Sequence, residues 1–121
     1  MLGHKVWMIA DAFYDSHSNG LYNSHESVCV LNVGAVDAVI TMTLYFEDRD
    51  PMTGFLSHCA AGRTHHIRMD KLVSVTGECV PMDVPYAILV ESSVAVAVQY
   101  TRLDSAQAEM ALMSVIACPI G

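Results

Sequence analysis

The sequence predicts an all-β fold, a single-domain antiparallel β-sandwich of about eight short strands. Three observations support this prediction. Several segments alternate apolar and polar residues with a period of two, which is the pattern of a half-buried strand. Clusters of Gly, Pro, Asn, Asp and Ser separate these segments. The 121 residues suffice for one domain (1–121), and 53% apolar with 16% charged residues supply a core and exclude wholesale disorder.

Alternation is clearest over Ala38–Phe46 and Val94–Thr101, where nearly every second residue is large and apolar. Asp104–Glu109 is the one predicted helical turn, because Asp104 or Ser105 can cap it. The same reasoning predicts strands, in chain order, at Lys5–Ala10, Ser27–Val33, Ala38–Phe46, Phe55–Ala60, Arg63–Met69, Tyr86–Glu91, Val94–Thr101 and Ala111–Ala117.

Charge and hydropathy narrow the partners and the location. Six Lys and Arg oppose thirteen Asp and Glu, for a formal net charge of −7. Nucleic acid is therefore disfavoured as a partner, because a DNA-binding surface is normally basic. No apolar stretch approaches the ~20 residues that span a bilayer, and no signal-peptide core opens the sequence, so we expect a cytoplasmic protein. In a reducing compartment, the four isolated cysteines are expected to be small buried hydrophobic residues. The apolar excess over the usual ~45–50% suggests a subunit interface.

The first candidate site is the segment Ser24-His25-Glu26, which leads into the predicted strand that contains Asn32. A neighbouring His and Glu can ligate a metal or form an oriented base. Adjacent residues of a strand point to opposite faces, however, so the two side chains would not naturally converge. The alternative is structural, a hydrogen-bonding pair at the start of a strand.

The second candidate site is the segment Arg63–Arg68. Strand alternation places His66 and Arg68 on one face and Arg63 and His65 on the other. Two consecutive histidines cannot face one metal from a regular strand, so zinc is disfavoured. The pattern fits either an edge that binds an anion or a sugar through the planar donors of arginine, or a solvated strand surface.

The third candidate site is the segment Gln99–Ser105, which follows an apolar strand. Arg102 and Asp104 can brace one another across a turn and leave guanidinium donors free for a ligand. An intramolecular salt bridge explains the pair equally well. No dinucleotide, phosphate-loop or nucleophile motif occurs in the sequence. We therefore expect no enzymatic activity, no cofactor and no metal.

Three runs of residues carry a family resemblance: Ser24–Gly34; Arg63-Thr64 with His66 and Arg68; and, most specifically, Val98–Ser105 followed by Gln107–Glu109 and Ala111-Leu112. Their order and spacing resemble the sensory rhodopsin transducer family from about Trp7 to Ala117. Ala95, Ala106 and Met110 depart from the family pattern.

This resemblance implies a β-sandwich that forms a homotetramer and relays a signal through a microbial rhodopsin or another signalling protein. It also implies a small-molecule or sugar ligand in some family members. The positions that match the family motifs are the candidate ligand-binding residues: His25, Glu26, Asn32, Arg63, His66, Arg68, Gln99, Arg102 and Asp104.

Three functions compete on this evidence. The first is a signalling module whose motif segments bring Arg63, His66 and Gln99 to a polar pocket at Arg102, with Asp104 fixing the guanidinium. The second is a structural homo-oligomeric scaffold, in which the motif residues serve subunit contacts. The third is a metal-assisted hydrolase built from His25, Glu26 and His66.

Overall fold

The computed structural model of the chain describes residues 2–107 and 110–121. Every helix-or-strand element in these residues is a strand, which confirms the predicted all-β class. Eight strands follow in chain order: β1 His4–Phe13, β2 His25–Asn32, β3 Ala38–Phe46, β4 Met52–Cys59, β5 Arg63–Arg68, β6 Pro85–Asp104, β7 Ala111–Ile116 and β8 Cys118–Ile120.

The strands form two sheets that share the long strand β6, and all of the pairings are antiparallel. The first sheet has the order β4-β3-β6-β1-β8, and the second has the order β5-β2-β6-β7. β6 belongs to both sheets because its first part, to Ser92, pairs with β3, while its second part, from Ala97, pairs with β2. Strand β6 therefore runs along the first sheet, bends, and runs back along the second sheet. Its first and last residues lie at the same end of the sandwich.

One core fills the space between the sheets. The alternation of apolar and polar residues along each strand directs the apolar side chains into this core. Ile40, Met42 and Leu44 of β3 are fully buried, as the sequence predicts for that face. Val28 and Val30 of β2 face them from the second sheet. Because both sheets contribute inward faces to a single cluster, the architecture is a β-sandwich.

Three sequence predictions need correction. The strands predicted at Tyr86–Glu91 and Val94–Thr101 are one strand, because the polar pair Ser92-Ser93 marks the bend of β6 rather than a turn. β8 was not predicted, since three residues around Pro119 show no periodicity. The helical turn is wrong at its start: Asp104 ends β6 and 105–107 are not helical, while 108–109 lie outside the described residues.

A glycine in a left-handed conformation forms the turn between β4 and β5. Gly62, at φ +66°, closes the short turn between β4 and β5 in a left-handed conformation that side chains disfavour.

All four cysteines are free, but only Cys59 is buried, whereas Cys79 and Cys118 are exposed, contrary to the sequence expectation. Within the described ranges there is no helix long and apolar enough to cross a membrane.

Candidate functional site

A buried carboxylate joins the two sheets at the end of the sandwich where β6 begins and ends. Glu26, on the inner face of β2, is 1% exposed. The Tyr86 hydroxyl donates a hydrogen bond to Glu26 Oε1 at 2.6 Å. The Tyr100 hydroxyl donates to Oε2, and the Phe13 amide N–H donates to the same oxygen at 3.0 Å. We call Glu26, Tyr86, Tyr100 and the Phe13 amide the Glu26 cluster.

The hydrogen bonds of the Glu26 cluster link three strands, β1, β2 and β6. Its donors come from β1 and from both ends of β6, and its acceptor comes from β2. Burial, followed by the charge of Glu26, raises the pKa of Tyr86 and of Tyr100 far above the usual range, so both phenols stay protonated as donors. Three donors thus occupy the two oxygens of the Glu26 carboxylate and tie β2 to β1 and β6.

A groove of about 380 Å³ opens beside this cluster. We call it the Arg102 groove. It lies at the same end of the sandwich because β1 ends, β2 begins and β6 ends there. Its walls, among the described residues, are Asp11, Phe13, Asp15, Ser24, His25, Arg102, Leu103 and Asp104. The groove thus collects three of the residues that the sequence singled out: His25, Arg102 and Asp104.

Arg102 is half-buried and lies opposite Glu26 in the register of β2 and β6. Its one hydrogen bond to a described residue runs from Nη2 to the thioether sulfur of Met113 at 3.9 Å. A thioether is a weak acceptor. Most of the guanidinium donors are therefore uncommitted in this part of the chain.

The expected brace between Arg102 and Asp104 is not present. No ion pair joins the two side chains. Asp104 Oδ1 instead accepts the Ala106 amide N–H at 2.9 Å, a local turn contact that asparagine and aspartate favour. His25 is also held locally, with Nδ1 2.8 Å from the carbonyl oxygen of Asn23.

Asn32 and Arg63 lie at the opposite end of the sandwich, where they are cross-strand neighbours. Asn32 is fully buried, and its amide donates to the carbonyl oxygens of Val36 and Cys59 at 2.9 and 3.1 Å. Its Oδ1 accepts the Gly34 amide N–H at 3.0 Å. Asn32 therefore holds the turn after β2, and the exposed Arg63 does not reach the Arg102 groove.

His66, Arg68 and Gln99 occupy the outer face of the second sheet. His66 and Gln99 flank Cys29 in one cross-strand row, on the face opposite to Arg102. The prediction that His66 and Arg68 share a face is confirmed, but the expected convergence of Arg63, His66 and Gln99 on Arg102 is wrong. The reason is strand alternation, which separates residues 99 and 102 to opposite faces.

Arg68 is committed to Asp70. Its Nε and Nη2 each donate to a different carboxylate oxygen at 2.8 Å. Burial acts to raise the pKa of Asp70, but the hydrogen bonds and charge of Arg68 outweigh it and hold that pKa below its usual range. This two-pronged pair makes Arg68 a structural brace.

The hydrolase set does not assemble either. His25 and His66 lie in cross-strand rows four residues apart on the outer face, about 13 Å along the strand, and Glu26 points inward. Among the described residues, the group with metal-ligating spacing is Asp15, His17 and Asp83 in exposed loops.

Comparison with known proteins matches residues 2–119 to the model of the Anabaena sensory rhodopsin transducer family. The chain belongs to this family. It is similar to the crystal structure of Thermotoga maritima 1070, with a TM-score of 0.88 and 32% identity over 99% of this chain and 97% of that one. It is also similar to the Anabaena sensory rhodopsin transducer, with a TM-score of 0.74 and 33% identity over 83% of this chain and 97% of that one. No curated protein sequence matches.

For this family member, sequence reasoning missed the β1 side of the groove. Asp11 and Phe13 lie beyond Ala10, where the predicted first strand stopped because apolar alternation weakens there. It also missed the tyrosines of the Glu26 cluster. A signal existed: Tyr100 lies on the same apolar face as Val96 and Val98, so its hydroxyl must find an acceptor in the core.

Proposed function

We propose that this protein is a signalling module that binds a small polar molecule in the Arg102 groove and relays the bound state through a protein partner. The observation that carries the proposal is the guanidinium of Arg102, which borders a groove and has only a thioether as acceptor among the described residues. A planar set of free donors at a cavity wall is suited to a carboxylate or to neighbouring hydroxyls, as in sugars and sugar acids.

The Glu26 cluster offers a route for the relay. Phe13 and Arg102 line the groove, and Phe13 is hydrogen-bonded to the carboxylate that ties β1, β2 and both ends of β6 together. A ligand that shifts either residue acts directly on strands of both sheets. For the partner we propose a microbial rhodopsin or another signalling protein, on the strength of family membership.

A thermal-shift screen tests the groove. Wild type, Arg102→Lys and Arg49→Lys are screened against hexoses, sugar acids and amino acids at millimolar concentration. Arg49 is an exposed control whose partner, Asp48, lies outside the groove. We expect compounds that raise the Tm of wild type and of Arg49→Lys, but not of Arg102→Lys, since lysine lacks the planar fork. Hits that stabilise Arg102→Lys equally, or no hit at all, would contradict the proposal.

We also propose that the chain acts as a homotetramer in the cytoplasm. Support for assembly comes from β7, whose second edge has no partner strand in the described part of the chain. Leu112 and Ile116 on this strand are 70% and 74% exposed, and residues 110–121 have no Asp, Glu, Lys or Arg side chain. An exposed apolar edge is normally covered. Light scattering at micromolar concentration checks this, and a stable 13 kDa species would refute it.

A further inference from the structure

The walls of the Arg102 groove hold an excess of carboxylates. Asp11, Asp15 and Asp104 border the cavity, whereas Arg102 is the one Lys or Arg among its described lining residues. A ligand that is only an anion, or only a set of hydroxyls, would leave this negative charge without a counter-charge.

The carboxylates are available to a ligand. Asp15 and Asp104 each use one oxygen, Oδ1. That of Asp15 accepts the His17 N–H at 2.8 Å and lies 3.1 Å from His17 Nδ1, and that of Asp104 accepts the Ala106 N–H at 2.9 Å. Their Oδ2 atoms, and both oxygens of Asp11, have no hydrogen bond to any described residue. No Lys or Arg in residues 2–107 and 110–121 pairs with any of the three.

The spacing of these groups favours an organic ligand over a metal ion. The three carboxylates do not come together as a group with metal-ligating spacing. Among the described residues, Asp15 has that spacing with the loop residues His17 and Asp83 instead. They are distributed around a cavity of about 380 Å³, room enough for a molecule the size of an amino acid. Ammonium groups each offer three donors and a positive charge, which suits dispersed carboxylates.

We infer that the Arg102 groove takes a small molecule that carries a carboxylate together with ammonium groups, of the diamino acid class. The ligand carboxylate pairs with the Arg102 guanidinium through two parallel hydrogen bonds. The ammonium groups pair with Asp104 on one side and with Asp11 and Asp15 on the other. This assignment rests on the proposed function and narrows its ligand class.

Calorimetric titration with four named probes tests the assignment: L-lysine, putrescine, acetate and glucose. L-lysine carries both charges, putrescine only ammonium groups, acetate only a carboxylate, and glucose neither. We expect L-lysine to bind at least tenfold more tightly than each of the others. We also expect its affinity to fall as NaCl rises from about 50 to 500 mM, because salt screens the charge pairs.

Two variants make the result specific. Asp104→Asn should weaken L-lysine binding by about tenfold or more, while Asp50→Asn, in an exposed loop away from the groove, should leave it unchanged. If glucose or acetate binds in an Arg102-dependent way and L-lysine does not, the diamino acid assignment is wrong and the proposed function stands. If no probe and no compound of the thermal screen binds through Arg102, the proposed function itself is contradicted.

Discussion

Each end of strand β2 buries a polar side chain, and the two side chains are hydrogen-bonded by different kinds of partner. Glu26 and Asn32 lie on the same inner face, both are buried, and both have their polar atoms hydrogen-bonded. At the Asn32 end the partners are backbone groups of neighbouring turns, and a groove of about 380 Å³, lined by Asn32 and Lys5 among others, lies beside them. At the Glu26 end the partners are two tyrosine hydroxyls and the Phe13 amide N–H, and the neighbouring Arg102 remains available at a groove. A buried polar residue therefore does not by itself indicate a binding site. What distinguishes the Glu26 end is a half-buried guanidinium beside it, whereas the cation at the Asn32 groove, Lys5, is exposed.

The largest expected effect is at Glu26. Glu26→Ala removes the acceptor of two buried tyrosine hydroxyls and of the part-buried Phe13 N–H at once, so we expect the free energy of unfolding to fall by about 3–5 kcal/mol. Urea unfolding, followed by the fluorescence of the buried Trp7, measures the loss. Glu91→Ala, at an exposed position of β6, is the matched control and should change stability by less than about 0.5 kcal/mol. Equal stability of the two variants would show that the Glu26 cluster does not fasten the sheets.

The corresponding change at the other end is smaller. Asn32→Ala leaves the carbonyl oxygens of Val36 and Cys59 and the Gly34 N–H without their partner, and part of this turn can be hydrated. We expect a loss of about 2–3 kcal/mol in the same urea experiment. Asn23→Ala, at an exposed position, is the control. A larger loss for Asn32→Ala than for Glu26→Ala would reverse the ranking of the two ends.

The two tyrosines make the stability of the Glu26 end depend on pH. The pKa values of Tyr86 and Tyr100 are raised in the folded chain, so their contribution to stability is complete below the unfolded pKa of about 10. As pH rises above that value, the unfolded chain loses protons that the folded chain keeps. The free energy of unfolding should then fall by about 1.4 kcal/mol per pH unit for each tyrosine.

Unfolding titrations between pH 9 and 11 measure this slope, and absorbance near 295 nm reports tyrosine ionisation directly. Tyr86→Phe should reduce the slope by one tyrosine's share and Tyr100→Phe by the same amount. A folded wild-type protein whose five tyrosines all ionise near pH 10 would be inconsistent with a buried Glu26 cluster.

The fold could be predicted from the sequence wherever burial alternates along one strand. β3 illustrates this, because its predicted bounds, Ala38–Phe46, are the observed ones. β6 shows the limit. Ser92 and Ser93 interrupt the apolar pattern, yet the backbone continues through a bend at which Ser93 Oγ accepts the Val39 N–H at 2.8 Å. A serine pair at a strand bend, where a hydroxyl accepts a hydrogen bond from the neighbouring strand, has the same composition as a turn. Composition alone therefore cannot distinguish the two.

The candidate site could be predicted only in part, for a geometric reason. Family motifs identified His25, Arg102 and Asp104, which do share a groove. They also identified His66 and Gln99, which the pairing of β5, β2 and β6 places on the face opposite to Arg102 and away from the groove. Motif residues reveal position along the chain, whereas the face that each residue presents depends on register. Register is set by long-range pairing that local patterns do not contain.

The smallest expected effect compares two arginines of the second sheet. Arg68 binds Asp70 through two hydrogen bonds but is about a third exposed, so Arg68→Lys should cost about 0.5–1 kcal/mol at neutral pH. Because the pKa of Asp70 is lowered, this contribution is present above pH ~4 and disappears as pH falls through the folded pKa. Wild type and Arg68→Lys should therefore converge in stability in acid.

Arg102→Lys should cost less than Arg68→Lys, within about 0.5 kcal/mol, because the one hydrogen bond of Arg102 to a described residue is to the Met113 thioether. Urea unfolding of both variants at pH 7, with light scattering to compare their assembly, makes the comparison. If the Arg102→Lys protein is stable and correctly assembled, the guanidinium is not needed for folding or assembly, as expected of a ligand-binding residue. If Arg102→Lys instead loses more stability than Arg68→Lys, Arg102 is a brace like Arg68, and both ends of β2 are structural.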